Sequence, residues 1–117
     1  MIEARCHCGR VRLHLRFVPT ELTDCNCSLC RRYGALWAYY PKTDVQVEQR
    51  EPGVDAYSWG SQTRSFYRCS TCGCVTHWEA NDPARSKLGV NARLLEADIV
   101  AGVPIRPFDG AATSEYL

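Results

Sequence analysis

The chain has 117 residues, of which 45% are hydrophobic and 23% charged, and a net charge of +1. That length predicts one domain, residues 1–117, whose core takes roughly two-thirds of the chain's surface out of water on folding. Twelve of the fourteen basic residues are arginines scattered along the sequence, which leaves no electrostatic footprint for nucleic acid or for an anionic membrane.

The start, Met1-Ile2-Glu3-Ala4-Arg5-Cys6, carries no signal-peptide apolar run, and no stretch reaches membrane-spanning length. The expected compartment is the cytoplasm. There the eight cysteines read as metal ligands rather than as four disulfides, because reducing conditions disfavour bridges. The one-residue spacing in Cys6-His7-Cys8 and Cys25-Asn26-Cys27 also suits mutual bridging poorly.

Cys6-His7-Cys8-Gly9 opens the domain, with Gly9 freeing the backbone to turn behind the second thiol. Residues 11–17 then alternate. Val11, Leu13, Leu15 and Phe17 face one way, and Arg12, His14 and Arg16 the other, which is the period of a half-buried strand. His14, on the polar face, is expected to be solvated. Pro19 ends this strand, and a polar connection leads to Cys25. Ser28 is placed to open a short helical turn through Tyr33 that Gly34 stops.

Residues 35–40 are rich in strand-favouring aromatics and are closed by Pro41. Residues 44–49 alternate again, and 56–59 form a short strand after the Pro52-Gly53 turn. Residues 64–68 lead as a strand into Cys69-Ser70-Thr71-Cys72-Gly73, and 75–78 continue as strand. After a loop at Asn81-Asp82-Pro83, residues 89–94 return to strand character. A helical turn over 95–101 ends at Gly102 and Pro104. The tail, 105–117, holds one more short strand and a frayed end. Many short strands with very little helix predict a mainly β fold.

The chemistry is carried by Cys25, Cys27 and Cys30. Three thiols within six residues wrap readily around one soft cation, and zinc suits them best because it takes thiolates tetrahedrally without redox chemistry. They supply three ligands where zinc takes four. A structural site fills the fourth position with protein, whereas a catalytic site leaves it to water or substrate. Cys69-x-x-Cys72-Gly73 has the form of a zinc knuckle. The simplest sorting joins Cys6 and Cys8 to Cys69 and Cys72 in a four-thiolate structural site, leaving Cys25, Cys27 and Cys30 with an open position. A rival sorting recruits Cys74, because Cys69-x-x-Cys72-x-Cys74 mirrors the central run. It would close both sites and make the chain a non-enzymatic zinc module that binds a protein partner.

Other residues are ranked against these. His7 and His77 are not needed as ligands, and Trp37, Tyr39 and Trp59 are expected in the core. Asn91 and Arg93, two apart, are expected on one side of a strand in a structural hydrogen bond or a salt bridge, with Asp109 a candidate partner. Arg31 and Arg32, directly after Cys30, are candidates for gripping a carboxylate of a thiol substrate; the competing reading is of solvated arginines closing a helical turn.

Together these residues resemble the GFA family, the glutathione-dependent formaldehyde-activating enzymes and their CENP-V relatives. The matching stretches are Cys6-His7-Cys8-Gly9-Arg10-Val11, Cys25-Asn26-Cys27-Ser28-Leu29-Cys30-Arg31 with Gly34, residues 66–73, and Gly89-Val90-Asn91-Ala92-Arg93-Leu94. The likeness runs from Cys6 to about Gly110. It implies a β-tent fold of small stacked antiparallel sheets holding two zinc ions, a structural one at Cys6, Cys8, Cys69 and Cys72 and a catalytic one at Cys25, Cys27 and Cys30. It also implies a carbon–sulfur lyase that joins glutathione, or a similar small thiol, to formaldehyde or another small aldehyde. Arg31 and Arg32 are the candidates for holding that thiol co-substrate.

Overall fold

The computed structural model describes residues 1–112. Among these residues, ten strands form two sheets. The smaller contains β1 (Ile2–Arg5), β2 (Val11–Leu15) and β5 (Val45–Gln49), antiparallel in the order β1-β2-β5. The larger contains β3 (Leu22–Cys25), β4 (Trp37–Pro41), β6 (Val54–Tyr57), β7 (Arg64–Cys69), β8 (Val75–Ala80), β9 (Lys87–Asn91) and β10 (Ile105–Phe108). Its order is β10-β3-β4-β9-β8-β7-β6. The fold is mainly β, and its two α-helices, α1 (Cys30–Tyr33) and α2 (Ala97–Val100), are single turns.

Alternation in β2 explains how the sheets meet. Val11, Leu13 and Leu15 are fully buried. Leu13 and Leu15, with Ala4 of β1, share a core with Leu22, Ala38, Tyr40, Leu88 and Val90 of the larger sheet. The outward residues are paired rather than merely solvated. Arg12 lies 3.3 Å from Glu3 and His14 lies 2.9 Å from Glu48. In β9 the last four residues are all buried, as a strand covered on both faces requires. Its Gly89 lies directly under the Trp78 indole, where any Cβ would overlap the ring.

Several boundaries differ from the sequence expectation, each for a local reason. β2 stops at Leu15, so Phe17 is not an inward strand residue; its ring packs tilted against Tyr40 with centres 4.9 Å apart, and the Tyr40 hydroxyl donates to the Phe17 carbonyl at 3.0 Å. The polar connection before Cys25 contains β3, which pairs with β4 on one side and in parallel with β10 on the other. The larger sheet is therefore mixed rather than antiparallel throughout. Strand β1, also unexpected, is held by β2.

The strand expected over 89–94 ends at Asn91 and gives way to a 3-10 turn, Ala92–Leu94. Asn91 and Arg93 consequently do not share a strand face. The Asn91 amide donates to the Val75 carbonyl at 2.8 Å and its oxygen accepts from the Arg93 backbone at 3.2 Å. The Arg93 side chain donates to the Gly34 carbonyl. Asp109 takes Asn26 as its partner instead. The frayed end expected of the tail falls on residues 113–117, outside the described residues.

The contact at Gly89 gives a direct test of the core. Gly89→Ala should lower stability by about 1–3 kcal/mol, the usual cost of overpacking, read as a lower midpoint in urea unfolding. An unchanged midpoint would show that the indole has room to move away.

Candidate metal centres

Among the described residues, two groups of three or more potential ligands bring their ligand atoms within 4.8 Å of one another: Cys6, Cys8, Cys69 and Cys72, and Cys25, Cys27 and Cys30. All eight cysteines are free thiols.

The first centre is built by two glycine-terminated turns. Gly9 and Gly73 both have positive φ, at 81° and 82°, a region open to glycine at no steric cost. Their amides donate back to the Cys6 carbonyl at 3.1 Å and the Cys69 carbonyl at 2.9 Å, curling each thiol pair around a common point. Cys8 Sγ lies 3.7 Å from both Cys6 Sγ and Cys69 Sγ. A tetrahedron with zinc–sulfur bonds of about 2.3 Å has edges of about 3.8 Å, so these sulfurs already stand at the separation such an ion requires.

Backbone donors prepare part of this set for deprotonation. The Val11 amide donates to Cys6 Sγ at 3.3 Å, although burial still pushes the Cys6 thiol up to about 11. Burial also opposes ionisation of Cys72, but backbone hydrogen bonds at Cys74 and Cys8 overcome it and bring that thiol down to about 5. The backbone at Arg10 lowers Cys8. Cys74 packs beside this centre, against Cys6, Val11 and Cys69, and does not join Cys25, Cys27 and Cys30.

The second centre lies where β3 runs into α1. Cys25 ends the strand, Cys30 begins the helix, and Gly34 in the left-handed region closes the turn by donating to the Cys30 carbonyl. Leu29, not Ser28, occupies the N-cap. All three thiols are buried, among Trp37, Phe66 and Trp78. The Cys30 amide donates to Cys27 Sγ at 3.3 Å and the Trp37 indole N–H donates to Cys30 Sγ at 3.3 Å. Burial raises the Cys30 thiol against that indole bond, and raises Cys25 as well. Three thiols so placed fit one soft divalent ion.

A cavity of about 540 Å³ borders this centre at Cys27 and is lined further by Ser28, Trp59, Arg64, Phe66 and Ala111. Arg31 and Arg32 are exposed and do not line it; the Arg32 guanidinium donates to the Ser28 carbonyl at 2.8 Å. Trp37 and Tyr39 pack around the thiols, but Trp59 is a cavity wall rather than a core residue and is 40% exposed. His77 is buried, stacked on Tyr67 at 4.7 Å and 2.8 Å from the Thr76 hydroxyl, away from both centres.

Asn26, Trp37 and Arg64 were not legible as site residues. Asn26 binds the C-terminal cavity wall, donating to Asp109 at 3.1 Å and accepting from the Ala111 amide at 3.0 Å. For Arg64 a signal exists. It stands two residues before Phe66 on β7, an inward position where a hydrophobic residue would be ordinary.

Two thiol clusters on a mainly β scaffold define a protein with two candidate metal centres, one complete in protein ligands and one offering three sulfurs beside a cavity. The chain belongs to the GFA family, whose model, described as glutathione-dependent formaldehyde-activating enzyme, matches residues 1–104. It is similar to the crystal structure of a Rhodobacter sphaeroides protein, with 29% sequence identity and a TM-score of 0.73, over 90% of this chain and 100% of that one. No match was found among curated proteins. Among the described residues no helix is long and apolar enough to cross a membrane.

The two centres should respond differently to loss of a thiol. Cys72→Ser should leave the chain unfolded by circular dichroism, because a structural site of this kind contributes on the order of 10 kcal/mol, as much as a whole small domain is stable by. Cys27→Ser should keep the fold and lose one metal equivalent. Identical behaviour of the two variants would abolish the distinction. Acid should discriminate as well. Burial raises Cys25 and Cys30 in one centre and Cys6 in the other, but Cys8 and Cys72 of the four-thiol centre are lowered by hydrogen bonds, so protons compete for the three-thiol centre at higher pH. In a stepwise acid titration followed with a zinc-sensitive dye, the three-thiol centre should release its ion first, at the higher pH.

Proposed function

We propose that the protein is a zinc-dependent carbon–sulfur lyase of the GFA type, joining glutathione or a similar small thiol to formaldehyde or another small aldehyde at Cys25, Cys27 and Cys30. The observation that carries this reading is the contrast between the centres. One gathers four thiols, while the other gathers three among the described residues and borders a 540 Å³ cavity through Cys27. Cavities of that size accommodate small-molecule ligands.

A zinc ion bound there supplies a coordination position at which an incoming thiol gives up its proton and becomes a nucleophile at neutral pH. The protein's own residues do the rest. Cys25, Cys27 and Cys30 keep the site rich in electrons, favouring delivery of a nucleophilic sulfur over polarisation of a carbonyl. Phe66 and Trp59 restrict water at the cavity wall, and Ser28, beside Cys27, presents a hydroxyl that can donate to the forming alkoxide. The net reaction forms one bond from sulfur to aldehyde carbon, and the thiol's proton ends on the former carbonyl oxygen. In the reverse direction that carbon–sulfur bond breaks.

Exchange NMR tests the proposal by following S-hydroxymethylglutathione formation from glutathione and formaldehyde. Zinc-loaded protein should accelerate the exchange, and Cys27→Ser should return it to the uncatalysed rate. If the wild-type protein leaves the rate where buffer leaves it, the lyase assignment is lost.

A further inference from the structure

We propose that Lys87 is a site at which small aldehydes add covalently and reversibly to the protein, forming an imine. Its amine lies in a pocket of about 250 Å³ lined by Tyr39, Tyr40, Pro41, Ser86 and Lys87, which shares no lining residue with the cavity at Cys27. That volume falls below the range of drug-sized ligand sites and leaves room for an aldehyde of a few carbons. The side chain is placed rather than trailing in solvent. Lys87 begins β9 opposite Pro41, is half-buried, and holds Nζ 4.4 Å from the centre of the Tyr39 ring.

The chain has two lysines, Lys42 and Lys87, and their surroundings differ in sign. Lys42 lies within electrostatic reach of the Glu79 carboxylate, which favours its ammonium form. Among the described residues Lys87 has no carboxylate in ion-pair range. Burial pushes its ammonium down, and the guanidinium groups of Arg106 and Arg64 act in the same direction. Desolvation and neighbouring cations are the two means by which a lysine becomes a nucleophile. The Tyr39 face attracts the ammonium and so opposes them in part, but it also keeps Nζ at the pocket. The lone pair of the free amine attacks the aldehyde carbon and forms a carbon–nitrogen bond, while a proton passes from nitrogen to the former carbonyl oxygen. Loss of one water molecule then gives the imine, and water reverses the addition. Ser86, on the same pocket, carries a hydroxyl that can donate to the carbonyl oxygen. This chemistry needs no metal and stands whether or not the three-thiol centre is a lyase.

The test is reductive alkylation of full-length, zinc-loaded protein at neutral pH with propanal and cyanoborohydride, in which the reductant traps each imine as it forms. Peptide mass spectrometry reads Lys87 and Lys42 in the same sample, so Lys42 serves as the internal reference. Lys87 should be alkylated at least about tenfold faster than Lys42, because the rate follows the unprotonated fraction of each amine. Concentrated urea should abolish the difference. Protein exposed to propanal and then dialysed before the reductant is added should carry no alkylation at Lys87. Equal rates at the two lysines of the folded protein overturn the assignment. So does a preference that persists in urea, which would belong to the local sequence rather than to the pocket. Modification of Lys87 that survives dialysis overturns the reversible addition.

Discussion

The junction of Cys6 and Cys8 with Cys69 and Cys72 is the constraint on which the rest of the molecule depends. Cys6 and Cys8 lie between β1 and β2 of the small sheet, while Cys69 ends β7 of the large one. Cys8 and Cys69, 61 residues apart, bring their sulfurs to 3.7 Å. The strands involved are four to six residues long, too short to hold two sheets in register by pairing alone. The shared core of Leu13, Leu15, Tyr40 and Val90 presses the sheets together, and an ion held at the thiol junction would fix how they are offset. It also anchors the end of β7, the strand that carries Arg64 and Phe66 to the cavity.

The other thiol cluster has a different logic, because its three ligands come from six consecutive residues. Metal there ties no distant elements together, so the surrounding packing must hold the loop in shape. Trp37 does so from β4 through its indole hydrogen bond to Cys30, and Phe66 and Trp78 do so from β7 and β8. Asn26, between two of the cysteines, is bonded to Phe108, Asp109 and Ala111. An ion can exchange its outer partners at such a place while the fold is maintained elsewhere. The two sets of sulfurs thus differ in where they sit along the chain, one joining distant elements and the other belonging to one short segment.

What could be read in the sequence was whatever leaves a local imprint. Cysteine spacing does, since a cation collects ligands at short intervals, and so does the two-residue period of β2. Gly34 as the stop of α1 is equally local. Strands β1 and β3 leave almost no imprint: each is four residues long and its partners are supplied by tertiary pairing. The break after Asn91 was masked by strand-like composition, because its cause is a side-chain cap on the Arg93 amide. The cavity was the least legible feature of all. Its wall combines β7, the loop after Trp59 and the segment 110–112, and only the three-dimensional arrangement shows that Arg64 and Cys27 share one space.

The electrostatics of the three-thiol centre follow from the donors around it. A divalent ion among three thiolates leaves a net negative charge, which burial makes costly unless hydrogen bonds spread it. Among the described residues, bonds that do so include the Cys30 amide to Cys27 Sγ and the Trp37 indole to Cys30 Sγ. Both donors are neutral, so they stabilise the sulfurs without cancelling their charge. Among the described residues lining the cavity, the buried guanidinium of Arg64 sits over the Trp78 ring.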